Sequence, residues 1–105
     1  MKKKFLILLF ALGLMVWAGC NKDDDKDELK ASFSWQLTEN PGEVVFTNTS
    51  SNAQTFEWDF GDGFSSTAQN PTHVYDENDD YIVTLKAYGE GINSVKDTVL
   101  VNNIP

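Results

Sequence analysis

Residues 58–63 read WDFGDG, and this short stretch decides how the chain folds. An aromatic side chain recurs at every second position before the glycines, at Phe56, Trp58 and Phe60. This period of two is typical of a β-strand with one buried face. Gly61 and Gly63 then end the strand, because glycine readily takes the positive φ angles of tight turns. Asp62 lies between them and can accept hydrogen bonds from the turn amides. The stretch therefore indicates scaffold: a strand that ends in an acid-capped turn.

The same alternation of apolar and polar residues continues on both sides of this stretch. The predicted strands cover residues 31–37, 43–49, 55–60, 81–88 and 94–101. Turn signals separate them, at residues 40–42 and 50–52 and in a hairpin loop predicted over residues 89–93. No window has a convincing apolar period of 3.6. Short strands with turns at intervals of about ten residues predict an all-β, antiparallel sandwich.

The first twenty residues have the pattern of an export signal. Lys2–Lys4 form a basic start, Phe5–Ala18 form an apolar run, and Cys20 follows Gly19. The run is too short to span a bilayer, which needs roughly 20 apolar residues. WAGC at residues 17–20 resembles the lipobox of bacterial lipoproteins, which implies a lipid on Cys20 after cleavage before it. We therefore expect a signal peptide at residues 1–19, with membrane attachment through the N-terminal lipid.

Residues 20–30 contain the lipidated cysteine and a run of charged residues, NKDDDKDELK, which predicts a disordered acidic tether. Loss of Lys2–Lys4 takes the formal charge from −8 to about −11, so no nucleic-acid partner is expected. The acidic run resembles the export signal of surface-exposed lipoproteins in some Gram-negative bacteria, and a plain flexible spacer is the alternative. We expect a lipid-anchored protein of the cell envelope, at the outer membrane and exposed on the surface.

Three blocks in order give residues 31–105 a specific resemblance. They are residues 58–63 (WDFGDG), 70–75 (NPTHVY) and 81–85 (YIVTL). In this order and spacing the chain resembles a PKD domain. The resemblance implies an immunoglobulin-like β-sandwich of about seven strands, extracellular, without catalytic residues, used as a spacer or for protein or carbohydrate contacts. It implies structural roles for the signature residues Trp58, Asp59, Phe60, Gly61, Asp62, Gly63, His73, Tyr75 and Tyr81. The chain has Asp79 where the family often has glycine, and we expect Asp79 to tolerate the left-handed backbone of that turn.

Neither a metal nor a catalytic group is predicted. Some family members bind calcium in the loop before WDFGDG, but residues 51–55 contain no acid here. A calcium-binding accessory module that uses the acids of residues 76–80 remains the alternative. His73 is the only histidine, and no motif places a nucleophile beside it, so neither an enzyme nor a cofactor is expected.

The most specific function that the sequence predicts is a non-enzymatic contact with a protein or a glycan. Trp35, Phe64 and Tyr88 are candidates for a stacking surface. The alternative is a structural spacer in an envelope assembly, with these aromatics in the core. An accessible pair of aromatics on one sheet face would favour the glycan-binding module.

Overall fold

The computed structural model describes residues 28–105, so the predicted signal peptide, Cys20 and most of the tether lie outside the described residues. Seven strands make up the fold: β1 (Phe33–Leu37), β2 (Glu43–Asn48), β3 (Thr55–Asp59), β4 (Ser65–Ser66), β5 (Thr72–Val74), β6 (Asp79–Gly89) and β7 (Gly91–Val101). They form two antiparallel sheets, with strand orders β1-β2-β5 and β4-β3-β6-β7. The all-β, immunoglobulin-like sandwich predicted from the sequence is confirmed. Within residues 28–105 no helix is long and apolar enough to cross a membrane.

The core lies between the two sheets and is built by the alternation already visible in the sequence. Its buried members are Val44, Phe46, Trp58, Phe60, Tyr75, Val83, Leu85, Val99 and Val101. Trp58 is fully buried at the centre, with its ring centroid 5.2 Å from that of Phe46 and 5.1 Å from that of Phe33. In a small sandwich these aromatics supply much of the apolar area removed from water, since each buries roughly 150–250 Å².

The β6–β7 hairpin is longer than the sequence predicts. The predicted loop over residues 89–93 is wrong, because the two strands pair as far as Gly89 and Gly91 and leave only Glu90 between them. Gly91 has φ of 131°, so two glycines that look like loop residues instead permit a very tight reversal. The final strand consequently begins at Gly91 rather than at Ser94.

The start of β6 also differs from the expectation. Asp79 does not have a left-handed backbone, since Asn52 is the only non-glycine residue with positive φ in the part of the chain that the structure describes. Asp79 instead pairs with Val101 as the first residue of β6. The backbone at this position is therefore extended, and it does not require the glycine that the family often has there.

The chain enters the sandwich at the end where the β6–β7 hairpin turns. Lys30 and Ser51 form an isolated antiparallel bridge, with N–H to O distances of 3.1 Å and 2.8 Å. The Ala31 N–H donates to Asn93 Oδ1 at 2.8 Å. Asn52 Nδ2 donates to the Glu28 carbonyl at 2.8 Å. Glu28 and Lys30, which their composition assigns to the tether, are therefore attached to the sandwich by hydrogen bonds, Lys30 through its backbone and Glu28 through the Asn52 side chain.

Candidate functional site

The WDFGDG turn after β3 is closed by its own acids. Asp59 Oδ1 accepts from the Gly61 N–H at 3.0 Å, and Asp62 Oδ1 accepts from the Phe64 N–H at 3.2 Å. Gly61 and Gly63 have φ of 83° and 96°, as expected for glycines that end a strand. One carboxylate oxygen of each acid in the motif therefore helps to hold the turn.

His73 fastens β5 to this turn. Its Nε2 lies 2.7 Å from Asp62 Oδ2, the one contact of salt-bridge length between a basic and an acidic side chain among residues 28–105. The imidazole lies flat on Phe60, with ring centroids 4.2 Å apart and planes 8° apart. Its ring also packs at right angles to Tyr75, at 4.6 Å. The histidine is thus enclosed by aromatic rings and a carboxylate, an arrangement that joins the two sheets.

Tyr75 links the WDFGDG turn to the core of the sandwich. The side chain is buried, and its hydroxyl donates to the Phe60 carbonyl at 2.8 Å. The ring stacks on Tyr81 with centroids 4.0 Å apart, and the Tyr81 hydroxyl donates to the Glu77 carbonyl at 2.7 Å. Burial raises the pKa of the Tyr75 hydroxyl well above its ordinary value, and the neighbouring carboxylate of Asp62 raises that pKa further.

We expect Tyr75→Phe to lower stability at pH 7, because the Phe60 carbonyl loses its donor. A neutral hydrogen bond contributes about 0.5–1.5 kcal/mol, and a buried acceptor left without a partner costs about 1–3 kcal/mol. The pKa is higher in the folded state, so the stability that neutral Tyr75 supplies is present below the unfolded pKa of about 10 and is lost as pH rises above it. Urea midpoints at pH 7–11 should therefore converge for wild type and Tyr75→Phe in alkali. A constant gap would contradict this.

The acids do not form a recognisable cation cage. In the described part of the chain, no group of three or more His, Cys, Asp or Glu side chains is placed to hold a metal ion. The acids between Asp76 and Asp80 are solvent-exposed. Asp79 Oδ1 accepts from the Asp80 N–H at 2.8 Å, so one of these carboxylates already bonds the neighbouring backbone amide.

A groove lies on the outer face of the sheet β4-β3-β6-β7. Its volume is about 390 Å³, and its lining includes Glu57 and Asp59 of β3, Thr84 and Lys86 of β6, and Phe64 from the turn. Phe64 is 63% exposed, a large value for a phenylalanine. Glu57 and Lys86 are directly opposite each other in the β3–β6 ladder. The groove therefore combines one exposed aromatic ring with charges of both signs.

A second depression continues along the same face towards the β6–β7 hairpin. It has a volume of about 640 Å³, and its polar lining includes Gln54, Glu57 and Gln69. Tyr88 lines it and donates its hydroxyl to Glu57 Oε1 at 2.8 Å. Glu57 lines both depressions. We call the two together the outer-face groove.

The structure brings two of the three candidate aromatics to this groove. Phe64 and Tyr88 line its two parts. Trp35 does not join them, because it lies on β1 in the other sheet and packs against the core. Glu57 and Lys86 were not candidates from the sequence, although both are charged residues on outward positions of strands. Only the register of β3 with β6 shows that they face each other.

The fold and this closed turn define an immunoglobulin-like β-sandwich module. The family model described as "PKD domain" matches residues 36–101, so the chain belongs to the PKD domain family. The chain is similar to the PKD1 domain of the metalloprotease PrtV from Vibrio cholerae, with 30% identity, a TM-score of 0.65 and coverage of 70% of this chain and 96% of that domain.

Other solved structures are similar. The PKD1 domain of Epp from Vibrio anguillarum is 25% identical, with a TM-score of 0.65 and coverage of 71% of this chain and 93% of that one. The PKD domain of the human VPS10 domain-containing receptor SorCS2 is 20% identical, with a TM-score of 0.56 and coverage of 84% and 82%, and shows the shared fold alone.

Proposed function

We propose that this protein is a non-catalytic lipoprotein of the cell envelope, anchored through Cys20, whose PKD domain binds a glycan in the outer-face groove. The observation that carries the glycan proposal is the placement of Phe64 and Tyr88 on one sheet face, with Glu57 between them. An accessible pair of aromatics on one sheet face is the arrangement expected of a glycan-binding module. Aromatics buried in the core would have favoured a spacer.

The chemistry of the groove suits a sugar. One face of a pyranose ring carries C–H groups and packs on an aromatic ring, while its hydroxyls both donate and accept hydrogen bonds. Phe64 offers the exposed ring. Glu57 supplies acceptors, Lys86 supplies donors, and Gln54 supplies both. Binding sites of this kind combine apolar area with a few placed polar groups. The PKD family, which is used for protein and carbohydrate contacts, supports the same proposal.

The entry point of the chain gives this groove a suitable position. Residues 28–31 attach at the hairpin end of the sandwich, whereas Phe64 follows the opposite end of β3. A lipid anchor on Cys20 would therefore hold the hairpin end towards the membrane and leave Phe64 on the distal half. A partner from outside the cell would reach it without obstruction by the bilayer.

We expect Phe64→Ala to weaken glycan binding about tenfold, equivalent to about 1.4 kcal/mol, because the stacking surface is lost. Val74→Ala is the matched control, since Val74 is 55% exposed on the other sheet and does not line the groove. Both proteins would be screened on an array of envelope and extracellular polysaccharides, and the affinity for any hit would be measured by calorimetry. An equal loss in both variants, or none in Phe64→Ala, would argue against this groove.

The two alternative functions, a structural spacer and a calcium-binding module, predict different results. A spacer would bind no glycan in either form. A calcium-binding module would show a rise in melting temperature with millimolar calcium, reversed by chelator. We expect neither result.

The anchor is tested separately with Cys20→Ala. The variant should lack acyl chains and keep its signal peptide, because the cysteine thiol is the lipid acceptor implied by the WAGC sequence. Mass spectrometry of the membrane fraction compares the variant with wild type. Cys20 is the only cysteine, so any thiol-linked lipid on the wild-type chain must be attached to it. A wild-type chain without acyl groups would refute the anchor and leave the glycan proposal standing.

A further inference from the structure

The outer edge of β7 is a long strand edge with no neighbour. β7 has eleven residues and is the last strand in the order β4-β3-β6-β7, so one side of it pairs with β6 and the other is open in the described chain. An edge of this kind presents unpaired backbone N–H and C=O groups, which are a template for another strand. Near the hairpin, only the Asn93 side chain is engaged, by the Ala31 N–H. That contact uses the side chain and leaves the backbone of the strand edge open there. Further along, the Thr98 N–H donates to Asp97 Oδ1 at 2.9 Å, so an added strand must displace this carboxylate, which is then available to a basic residue of the partner.

Three exposed side chains of β7 lie on the outer face of the sheet, and they alternate between apolar and charged. Ile92 and Leu100 are 66% and 47% exposed, and Lys96 lies midway between them. On the opposite face Asp97 is exposed as well. Neither Lys96 nor Asp97 has an ion-pair partner within residues 28–105. The edge therefore shows two apolar positions that flank one cation, with an anion next to it.

A second copy of this chain is a poor occupant of the edge. Two β7 strands paired antiparallel over their full length would place Gly91 opposite Val101 of the other copy. Lys96 would then lie directly opposite Lys96 of the other copy, and like charges in that position destabilise a ladder. The described module is also strongly acidic, with Lys30, Lys86 and Lys96 as its only lysines. Charge complementarity favours a different polypeptide.

We propose that the β7 edge binds an extended segment of a partner protein, which adds to the sheet as a fifth, antiparallel strand. The segment carries an acidic residue opposite Lys96, a basic residue opposite Asp97, and apolar residues opposite Ile92 and Leu100. Backbone hydrogen bonds supply the general attraction, and these side-chain pairs supply the selectivity. This site is separate from the outer-face groove and does not depend on glycan binding.

The proposal is tested with two labelled eleven-residue peptides and the full-length protein in detergent. The first peptide has glutamate opposite Lys96, lysine opposite Asp97, and isoleucine opposite Ile92 and Leu100. The second has the glutamate and lysine exchanged. Fluorescence anisotropy should show the first peptide binding about tenfold more tightly than the second. Amide hydrogen exchange should slow in β7 when the first peptide is bound, and it should not change in β2.

A charge-reversed protein completes the experiment. In the variant with Lys96→Glu and Asp97→Lys together, the preference should invert, so that the second peptide binds more tightly. Both positions are exposed, and a circular dichroism spectrum checks that the variant is folded. Inversion of the preference supports strand addition at β7. No binding of either peptide, equal binding of both, or protection that appears outside β7 would overturn it. Sedimentation that shows a dimer of the wild type, together with slow amide exchange in β7 without any peptide, would also overturn it in favour of a second copy.

Discussion

Trp58→Ala is expected to leave little folded protein at 25 °C. Trp58 is completely buried, and its indole Nε1 donates to the Ala68 carbonyl at 2.9 Å. Truncation of a large buried aromatic costs about 3–5 kcal/mol, and removal of the indole also leaves the Ala68 carbonyl without this donor. Small domains have about 5–15 kcal/mol of stability in total, and one of this size without a disulfide should lie near the lower limit.

The measurement is a urea titration followed by circular dichroism, with Phe64→Ala as the control. Phe64 is an aromatic a few residues away along the chain. It is mostly exposed, although its ring lies 5.8 Å from that of His73, so its truncation should lower the free energy of unfolding by no more than about 1.5 kcal/mol. A Trp58→Ala midpoint close to that of Phe64→Ala would mean that the indole does not support the core.

Gly61→Ala is expected to destabilise the domain strongly, through the backbone. Gly61 has φ of 83°, and a Cβ atom placed on it would lie 2.5 Å from the Ile82 carbonyl oxygen and 3.1 Å from the Ile82 nitrogen. The left-handed conformation costs an alanine about 1–2 kcal/mol. The overlap with the backbone of β6 adds about 1–3 kcal/mol, because the strand must move.

Gly63→Ala separates these two contributions. Gly63 also has positive φ, at 96°, yet nothing lies within 4 Å of the position that a Cβ atom would take. The free energy of unfolding of Gly63→Ala should therefore fall only by the cost of the left-handed conformation, about 1–2 kcal/mol. The difference between the two variants in thermal or urea unfolding measures how closely the turn approaches β6. Equal losses would show that the close approach to Ile82 is relaxed at no cost.

The core of this domain was predictable because it depends on a local pattern. A period of two assigns each residue of a strand to one of two faces without reference to any other strand. Phe56, Trp58 and Phe60 were therefore assigned to one buried face from the sequence. Trp58 and Phe60 are buried in the core, and Phe56 packs against it. Gly61 and Gly63 were predictable for a similar reason, since a strand that ends in two glycines signals positive φ angles.

Properties that depend on contacts between distant segments were not predictable. Phe64 and Tyr88 were each candidates from the sequence, but their common face follows from the ladder in which Glu57 pairs with Lys86. Trp35 has the same chemistry and lies on a different sheet. Lys30 was assigned to the solvated tether, because its backbone bridge to Ser51 cannot be predicted from the amino-acid composition of that segment.

The one-residue connection between β6 and β7 has a consequence for the order of folding. It closes a ladder of eleven residue pairs at almost no entropic cost, because the cost of loop closure rises with loop length. Such hairpins form in about 1–10 μs, whereas β3 must find β6 across the whole segment between Thr55 and Tyr88. The hairpin is therefore expected to act as the nucleus, and the arrival of β3 as the rate-limiting event. Conservative truncations should give higher φ-values at Val99 than at Phe56, and the opposite order would place the nucleus in the WDFGDG strand instead.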